Sequence, residues 1–339
     1  MRIATWNVEW FNSLFDDEDQ PLVDQNWSGR WNIKRKAQMD AIVRVLREID
    51  ADAIMFIEAP DSHSRRSSSA ALKNLAQRYQ LRQSEAVTGF ANETQQEITL
   101  MYDPSKMTAE HDPRGAVNAG EPGAPRFDTD FAMDLDVDAA PDKVIFSKPP
   151  LELAVTTHTG KALRMIGVHA KSKAPHGAKS DAEARRISIQ NRRKQLAQCI
   201  WLRKRVVEHL ETGDDVMVLG DFNDGPGLDE FEKLFGRSGV EVVLGEEGNN
   251  CLFDPHARQA LSRHGIAIPT TSRFFIRDEN RYLSALLDYI MISSGLRRKK
   301  PMWRIWHPFD DGHCYNDEKL RNALLTASDH FPVTLDIDL

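Results

Sequence analysis

The sequence is poor in cysteine. Its three, Cys199, Cys251 and Cys314, are too few and too odd in number for a disulfide framework, and none stands in a CxxC or Cys/His spacing that would hold zinc. They read as ordinary thiols. Long apolar runs are missing too: no stretch of about 18 apolar residues exists, which excludes a membrane-spanning helix. The N-terminal MRIATWNVEWF has no basic segment followed by a long apolar one, so no secretory leader is visible and the default expectation is a cytoplasmic protein. Positive charge is not in excess. Against 51 Asp and Glu stand 44 Lys and Arg, a net charge of −7, which excludes a uniformly basic surface holding nucleic acid by bulk electrostatics. A polyanionic substrate would need a local basic patch or a metal. No repeat of fixed period is found either.

What is present is a globular chain of 339 residues, 41% hydrophobic and 28% charged, with enough apolar side chain for a large core. Short apolar runs alternate with helical patterns from the start. IATWNVEW reads as a strand, and Ile33, Ala37, Ile42, Val45, Leu46 and Ile49 recur at helical spacing. Asp52 to Glu58 is a compact strand, and Ala70 to Tyr79 a helix, which gives a βαβ rhythm. Glu97 to Tyr102, Val144 to Phe146, Leu151 to Thr157 and Leu163 to His169 follow as strands, the later ones in hairpin-like succession, so the sheet is not purely parallel. Ala182 to Leu210 reads as one long helix with a basic face expected to be solvated, Arg192 and Arg205 included. Asp215 to Asp224, Leu286 to Ser293 and Ser328 to Ile337 are further strand segments. The Gly-, Pro- and Asp-rich stretch 109–140 reads as a surface excursion loop within one domain spanning 1–339.

The chemistry lies where these apolar runs end. Asn7 and Glu9 close TWNVEW, Glu58 closes MFIEAP, His169 closes IGVHAKSK, Asp221 and Asn223 close VLGDFND, Asp288 opens LLDYIM's polar end, and Asp329 with His330 stand in ASDHFPV. Strand ends in an α/β sheet converge on one edge and build a shared crevice. Carboxylates and amides without cysteine suit Mg²⁺ or Mn²⁺. Histidines among oxygen ligands suit acid/base work, and an Asp inside an apolar strand is costly unless paired, for which orienting an imidazole would serve. Taken singly, each of these residues also fits a cap, an Asx-turn or a structural hydrogen bond.

The ordered set, from Thr5 to Pro332, resembles the endonuclease/exonuclease/phosphatase superfamily. That resemblance implies a four-layered α/β sandwich, two mixed β-sheets packed face to face with helices on both outer sides, and metal-dependent hydrolysis of a phosphoester. It implies that Glu58 binds the metal with help from Asn7, that Glu9 and Asp329 lie near it, and that Asp221 aligns or deprotonates the water. It further implies that Asn223 and His169 contact the phosphate and that Asp288 orients His330; whether His330 or Asp221 is the base stays open. Lys148 stands where relatives often carry an arginine, keeping charge without the two-pronged geometry. Pro60 replaces a lysine common in abasic-site endonucleases, and no arginine-rich signature of the inositol 5-phosphatases surrounds the late Asp, which disfavours both activities.

Local basic residues complete the expectation. Arg65 and Arg66 after Glu58, and Lys171 and Lys173 after His169, are expected at substrate phosphate, while Arg297 to Lys300 could flank a crevice. Trp27, Trp31, Trp303 and Trp306 offer base-stacking surfaces or core. The resulting expectation is a phosphodiesterase with DNA or RNA as substrate. The alternatives are a small-molecule or lipid-headgroup diester as substrate, or an inactive binding module of the same fold.

Overall fold

The period-2 alternation of the apolar runs sends successive side chains to opposite faces, and each run here has hydrophobic residues on both. Such strands must be covered twice. The computed structural model describes residues 1–94, 96–117, 122–133, 142–175, 177–227, 235–246, 248, 250–262, 267–276 and 280–339. Among these, two six-stranded mixed sheets lie face to face. Numbered along the chain, the first has the order β15 (Met302–Ile305), β16 (Val333–Asp336), β1 (Arg2–Asn7), β2 (Ala53–Ala59), β4 (Glu97–Tyr102), β3 (Glu85–Thr88). The second has the order β11 (Leu252–Phe253), β14 (Asp288–Ser293), β10 (Val216–Asp221), β9 (Ala162–His169), β8 (Leu151–Thr157), β5 (Met107–His111).

Each sheet has one parallel pair at its centre, β1 with β2 and β9 with β10, and antiparallel partners outside it. The parallel pairs require crossovers, supplied by helices α1 (Arg35–Ile49) and α3 (Asp181–Glu211). Between the sheets lies one core, with Ile3, Met55, Ile57, Met165, Met217, Leu219 and Ile290 interleaved. Outside the first sheet, Ala4, Trp6, Ile54 and Phe56 meet α1, α2 (Ser68–Tyr79) and the helix Glu318–Ala327. Outside the second, Ile166, Val218 and Met291 meet α3 and the helices Gly239–Leu244 and Pro255–Ser262. The layers are therefore helix, sheet, sheet, helix, the sandwich that the resemblance implied.

Where the segment 109–140 is described, it is not a surface excursion. Its first residues form the edge strand β5, Ala124 and Phe127 are buried against α3, and β6 (Asp130–Met133) pairs with β7 (Asp142–Ile145). Gly, Pro and Asp content disguised strands too short to show a period; residues 118–121 and 134–141 lie outside the described residues. The basic face of α3 is likewise not wholly solvated. Arg192 and Arg205 are buried, with Arg192 Nη1 3.3 Å from Asp224 and Arg205 Nε 3.5 Å from Glu152. Those carboxylates, 32 and 53 residues away in sequence, balance the arginines' charge.

Candidate active site

Strand direction decides which residues meet. In β1, β2, β9 and β10 the polar groups sit at the C-terminal ends, whereas β14 and β16 run antiparallel and deliver Asp288 and His330 from their N-terminal sides. Asp221 is in register with both His169 and Asp288. Asn7, Glu9, Glu58, Lys148, His169, Lys171, Asp221, Asn223, Asp329 and His330 line one crevice of about 760 Å³.

Backbone shape aims two of them. Glu58 sits at a β-bulge between Ile57 and Ala59 with φ 60°, a left-handed conformation rare for a long side chain and costly unless the surroundings enforce it. Asn223 has φ 50°, which Asn tolerates, and its backbone N–H donates to Asp221 Oδ1 at 2.7 Å. Gly220 before them is obligatory, because a Cβ there would lie 2.0 Å from the Val168 carbonyl oxygen.

One wall carries a histidine–carboxylate pair. His330 Nδ1 lies 2.8 Å from Asp288 Oδ2, both groups being buried. Thr271 Oγ1 donates to the same Oδ2 at 2.8 Å while accepting the backbone N–H groups of Leu287 and Asp288. Asp288 thus keeps one fixed orientation. Burial by itself would lower the His330 pKa, but the Asp288 carboxylate, joined by Asp221 and Asp329, holds it well above the ordinary imidazole value.

Facing this pair is a set of oxygens with unmet capacity. Asn7 Nδ2 donates to Asp221 Oδ2 at 3.0 Å, and among the described residues the buried Asn7 Oδ1 meets no partner. Asp288 Oδ1 is buried and unpartnered as well. A buried acceptor without a donor is expensive. Burial pushes the Glu58 carboxyl up to about 7, with Lys148 and His330 opposing and Asp221 and Asp329 adding to the rise. Asp221 is pushed up to about 6, again by burial first. Asp221, Asp288 and His330 bring one ligating atom each within 4.8 Å of one another, yet the His330 nitrogen facing Asp288 is already hydrogen-bonded. The unpaired oxygens, not the imidazole, are the ones suited to a hard cation.

The other side is cationic. Lys148 Nζ donates to Gln96 Oε1 and lies 3.2 Å from His169 Nδ1. His169 Nε2 stands 3.9 Å from Glu58 and 3.8 Å from Asp221. Burial first, then Lys148 and His330, keep His169 well below its ordinary pKa, so it is a neutral imidazole. At the remaining corner Arg30 pairs with Glu9 and has Nη1 4.0 Å from Asp329. Glu9 is therefore tied to an arginine, not held open like Asn7.

Some expected residues stand elsewhere. Arg65 pairs with Asp17 at 2.7 Å, and the half-buried Arg66 lies 2.5 Å from Asp61 and donates to the carbonyls of Asn12, Phe15 and Asp16; neither lines the crevice. The chain turns away after Glu58, so adjacency in sequence does not become adjacency in space. Arg297 to Lys300 follow β14, whose antiparallel course carries them to the opposite end of the sheet. Lys173 lines the crevice but also binds Asp224 at 2.5 Å. Trp306 is buried and Trp303 donates to the Ile290 carbonyl, whereas Trp27 and Trp31 are exposed.

Sequence reasoning missed Arg30, Gln96, Gln195 and the hairpin of β12 (Ser272–Ile276) and β13 (Arg281–Ala285). The alternation in SRFFI and RYLSA could have revealed the hairpin, which places the Phe274 ring edge-on to His330 at 5.4 Å. Nothing could have flagged Gln195, whose single amide nitrogen donates to the carbonyls of Lys171, Phe222 and Asn223 and ties two site loops together.

A helix–sheet–sheet–helix sandwich with an oriented histidine at the strand ends, facing acidic and amide oxygens, defines a class of phosphoester-hydrolase scaffolds. Residues 4–330 match the Endonuclease/Exonuclease/phosphatase family, and the chain belongs to it. No curated protein matches it. Solved structures of the same fold include D. rerio TDP2 complexed with single strand DNA product, at 12% identity and TM-score 0.51, covering 100% of this chain and 99% of that one. A 3′ phosphatase, NExo from Neisseria bound to a product DNA hairpin, shares 15% identity at TM-score 0.51, with 100% of both chains covered. An AP endonuclease from Archaeoglobus fulgidus shares 13% identity at TM-score 0.51, also with 100% of both covered. Family and site together support a phosphoesterase. Among the described residues no helix is long and apolar enough to cross a membrane.

Proposed function

We propose that this protein is a divalent-cation-dependent phosphodiesterase whose substrate is a nucleic acid. The observation that carries the reading is the His330–Asp288 pair standing across one crevice from the unpartnered Asn7 Oδ1 and the raised carboxyls Glu58 and Asp221. These donors are all oxygen, which fits Mg²⁺ or Mn²⁺, with Glu58 and Asn7 as ligands and Asp221 and Asp329 nearby. When bound, the cation supplies charge neutralisation to the phosphate.

The chain's own groups supply the rest. Asp221 is held on both oxygens, by the Asn223 N–H and by Asn7 Nδ2, and with its pKa near about 6 it is ionised at neutral pH yet basic enough to accept a proton from water. His330, kept protonated by Asp288, has only Nε2 left to donate and stabilises charge developing on the phosphoryl group. His169 accepts from Lys148 through Nδ1, so its Nε2 carries the proton and donates to a nonbridging oxygen. Lys148 and Lys171 add positive charge beside it. Asp221 is thus the base and His330 the electrostatic partner. Crystal structures of this fold with DNA products favour nucleic acid over a small diester.

The test is a parallel incubation with plasmid, single-stranded oligonucleotide, RNA, a phospholipid and an aryl phosphodiester, with and without chelator. Cleavage of a nucleic acid that stops on chelation is expected. Cleavage of lipid alone overturns the substrate, and turnover that persists in chelator removes the cation.

A further inference from the structure

Tryptophan is large and apolar, and burying it is strongly favourable, so an exposed cluster needs an explanation. Of the seven tryptophans here, Trp10, Trp27 and Trp31 are exposed, Trp31 at 82%, and all three fall in the segment joining β1 to α1. That segment is firmly built. Trp27 and Lys34 form a bridge, the Ser28 N–H donates to the Ile33 carbonyl, and Lys34 Nζ sits 3.2 Å above the Trp27 ring. Trp31 occupies the tip of this small hairpin.

The same segment is fastened to the crevice. Arg30, next to Trp31, reaches back to Glu9 and to the Leu325 carbonyl. Trp10 directly follows Glu9, and its ring covers Gly29 so closely that a Cβ there would lie 2.3 Å away. Glu9 itself lines the crevice. Arg30 Nη1 also lies 4.0 Å from Asp329, so the segment that carries the indoles is fastened to the wall that holds Asp329 and His330.

We propose that Trp10, Trp27 and Trp31 form a platform on which unpaired bases of a single-stranded nucleic acid stack beside the scissile phosphate. The proposal rests on the nucleic-acid reading above and names the strand type. Charge selects the ligand. The segment also carries Asp16, Asp17, Glu18, Asp19 and Asp24, while its cations are engaged: Arg30 on Glu9 and Lys34 on Trp27. A duplex presents dense phosphate charge and hides its base faces, and an anionic bilayer also asks for free lysine or arginine. Stacking on splayed bases needs only exposed rings, and each base has a π-face to offer.

The test compares wild type, Trp31→Ala and Trp27→Ala/Trp31→Ala on a single-stranded oligonucleotide, the matching duplex, and an aryl phosphodiester too small to reach the platform. The ratio of kcat/KM for the single strand to that for the aryl diester should fall about tenfold or more in the double variant, mostly through KM. In chelator, the single strand should quench wild-type tryptophan fluorescence, with a shallow salt dependence, and the double variant should lose that quenching. An unchanged ratio with quenching retained overturns the platform and leaves the nuclease reading intact. A wild type that cleaves only the aryl diester overturns the nuclease reading and the platform with it. A fluorescence blue shift on phosphatidylserine vesicles without quenching by oligonucleotide overturns it in favour of a lipid surface.

Discussion

The two ends of the first sheet treat charge in opposite ways. At the end where β1 and β2 begin, Arg2 grips Asp336 through Nε at 2.7 Å and Nη2 at 2.9 Å, and Arg82 reaches Asp50, Asp52 and Asp103 at 2.7, 2.8 and 2.9 Å. Despite partial burial, which pulls the other way, Ser105 and Arg82 hold Asp103 below the usual carboxylate range. At the end where β1 and β2 finish, no arginine among the described residues pairs with Glu58 or with Asp221, which closes β10 of the facing sheet, and burial pushes their carboxyls up to about 7 and about 6. Asn7 Oδ1 has no donor among the described residues. One end is compensated by the chain; the other is left incomplete. Uncompensated buried acid is destabilising, so its retention singles out this end as the candidate site.

Substitutions at the incomplete end should remove activity without removing the fold. His330→Ala should lower kcat for an aryl phosphodiester by about 10³-fold or more, and Glu58→Gln comparably, while the melting temperature stays within a few degrees. Activity within tenfold of wild type in either variant would falsify the site.

A smaller effect should appear in cation binding. Because the Glu58 carboxyl titrates near about 7, it still carries its proton at pH 6 and the cation must displace it. Affinity for Mg²⁺ or Mn²⁺ should therefore rise with pH, by about tenfold per unit below 7, and level off above. Stability of the cation-free protein changes in the opposite direction: a carboxyl raised in the folded state favours the fold at low pH and loses that contribution as pH climbs through 7. Calorimetric titration from pH 5.5 to 8.5 measures the first, and a flat affinity would contradict it.

The smallest effect belongs to the compensated end. Arg82→Met should cost about 1–3 kcal/mol, a lower melting temperature by roughly 1–4 °C, with kcat unchanged. Since Asp103 titrates below its unfolded value, this loss should be full at neutral pH and fade as pH falls through the folded value. A drop in kcat instead would dissolve the distinction between the ends.

The site residues were legible because each stands where an apolar run stops, and a residue at that position faces the edge of a sheet whatever else the chain does. Asn7, Glu58, His169, Asp221, Asp288 and His330 all obey this. Arg65 and Arg66 did not, since closeness in sequence to Glu58 carries no information once the backbone bends at a left-handed residue. The helix Glu318–Ala327 was legible and unread: Asp317 caps Leu320 N–H at 2.9 Å, and Leu320, Ala323, Leu324 and Ala327 keep helical spacing. Arg30 and Gln195 were not legible by any pattern, being polar residues whose partners lie on other elements.

The sequence alone determined the alternation of strands and helices and the gathering of carboxylates, amides and histidines at the ends of apolar runs, because periodicity and residue type are local properties. Tertiary structure alone decided which acids are answered by arginine and which are buried without one. It also decided that three tryptophans ride on a segment pinned by Arg30 at the crevice rim. Charge balance and burial depend on what other strands bring within a few ångströms, and no spacing along one chain encodes that.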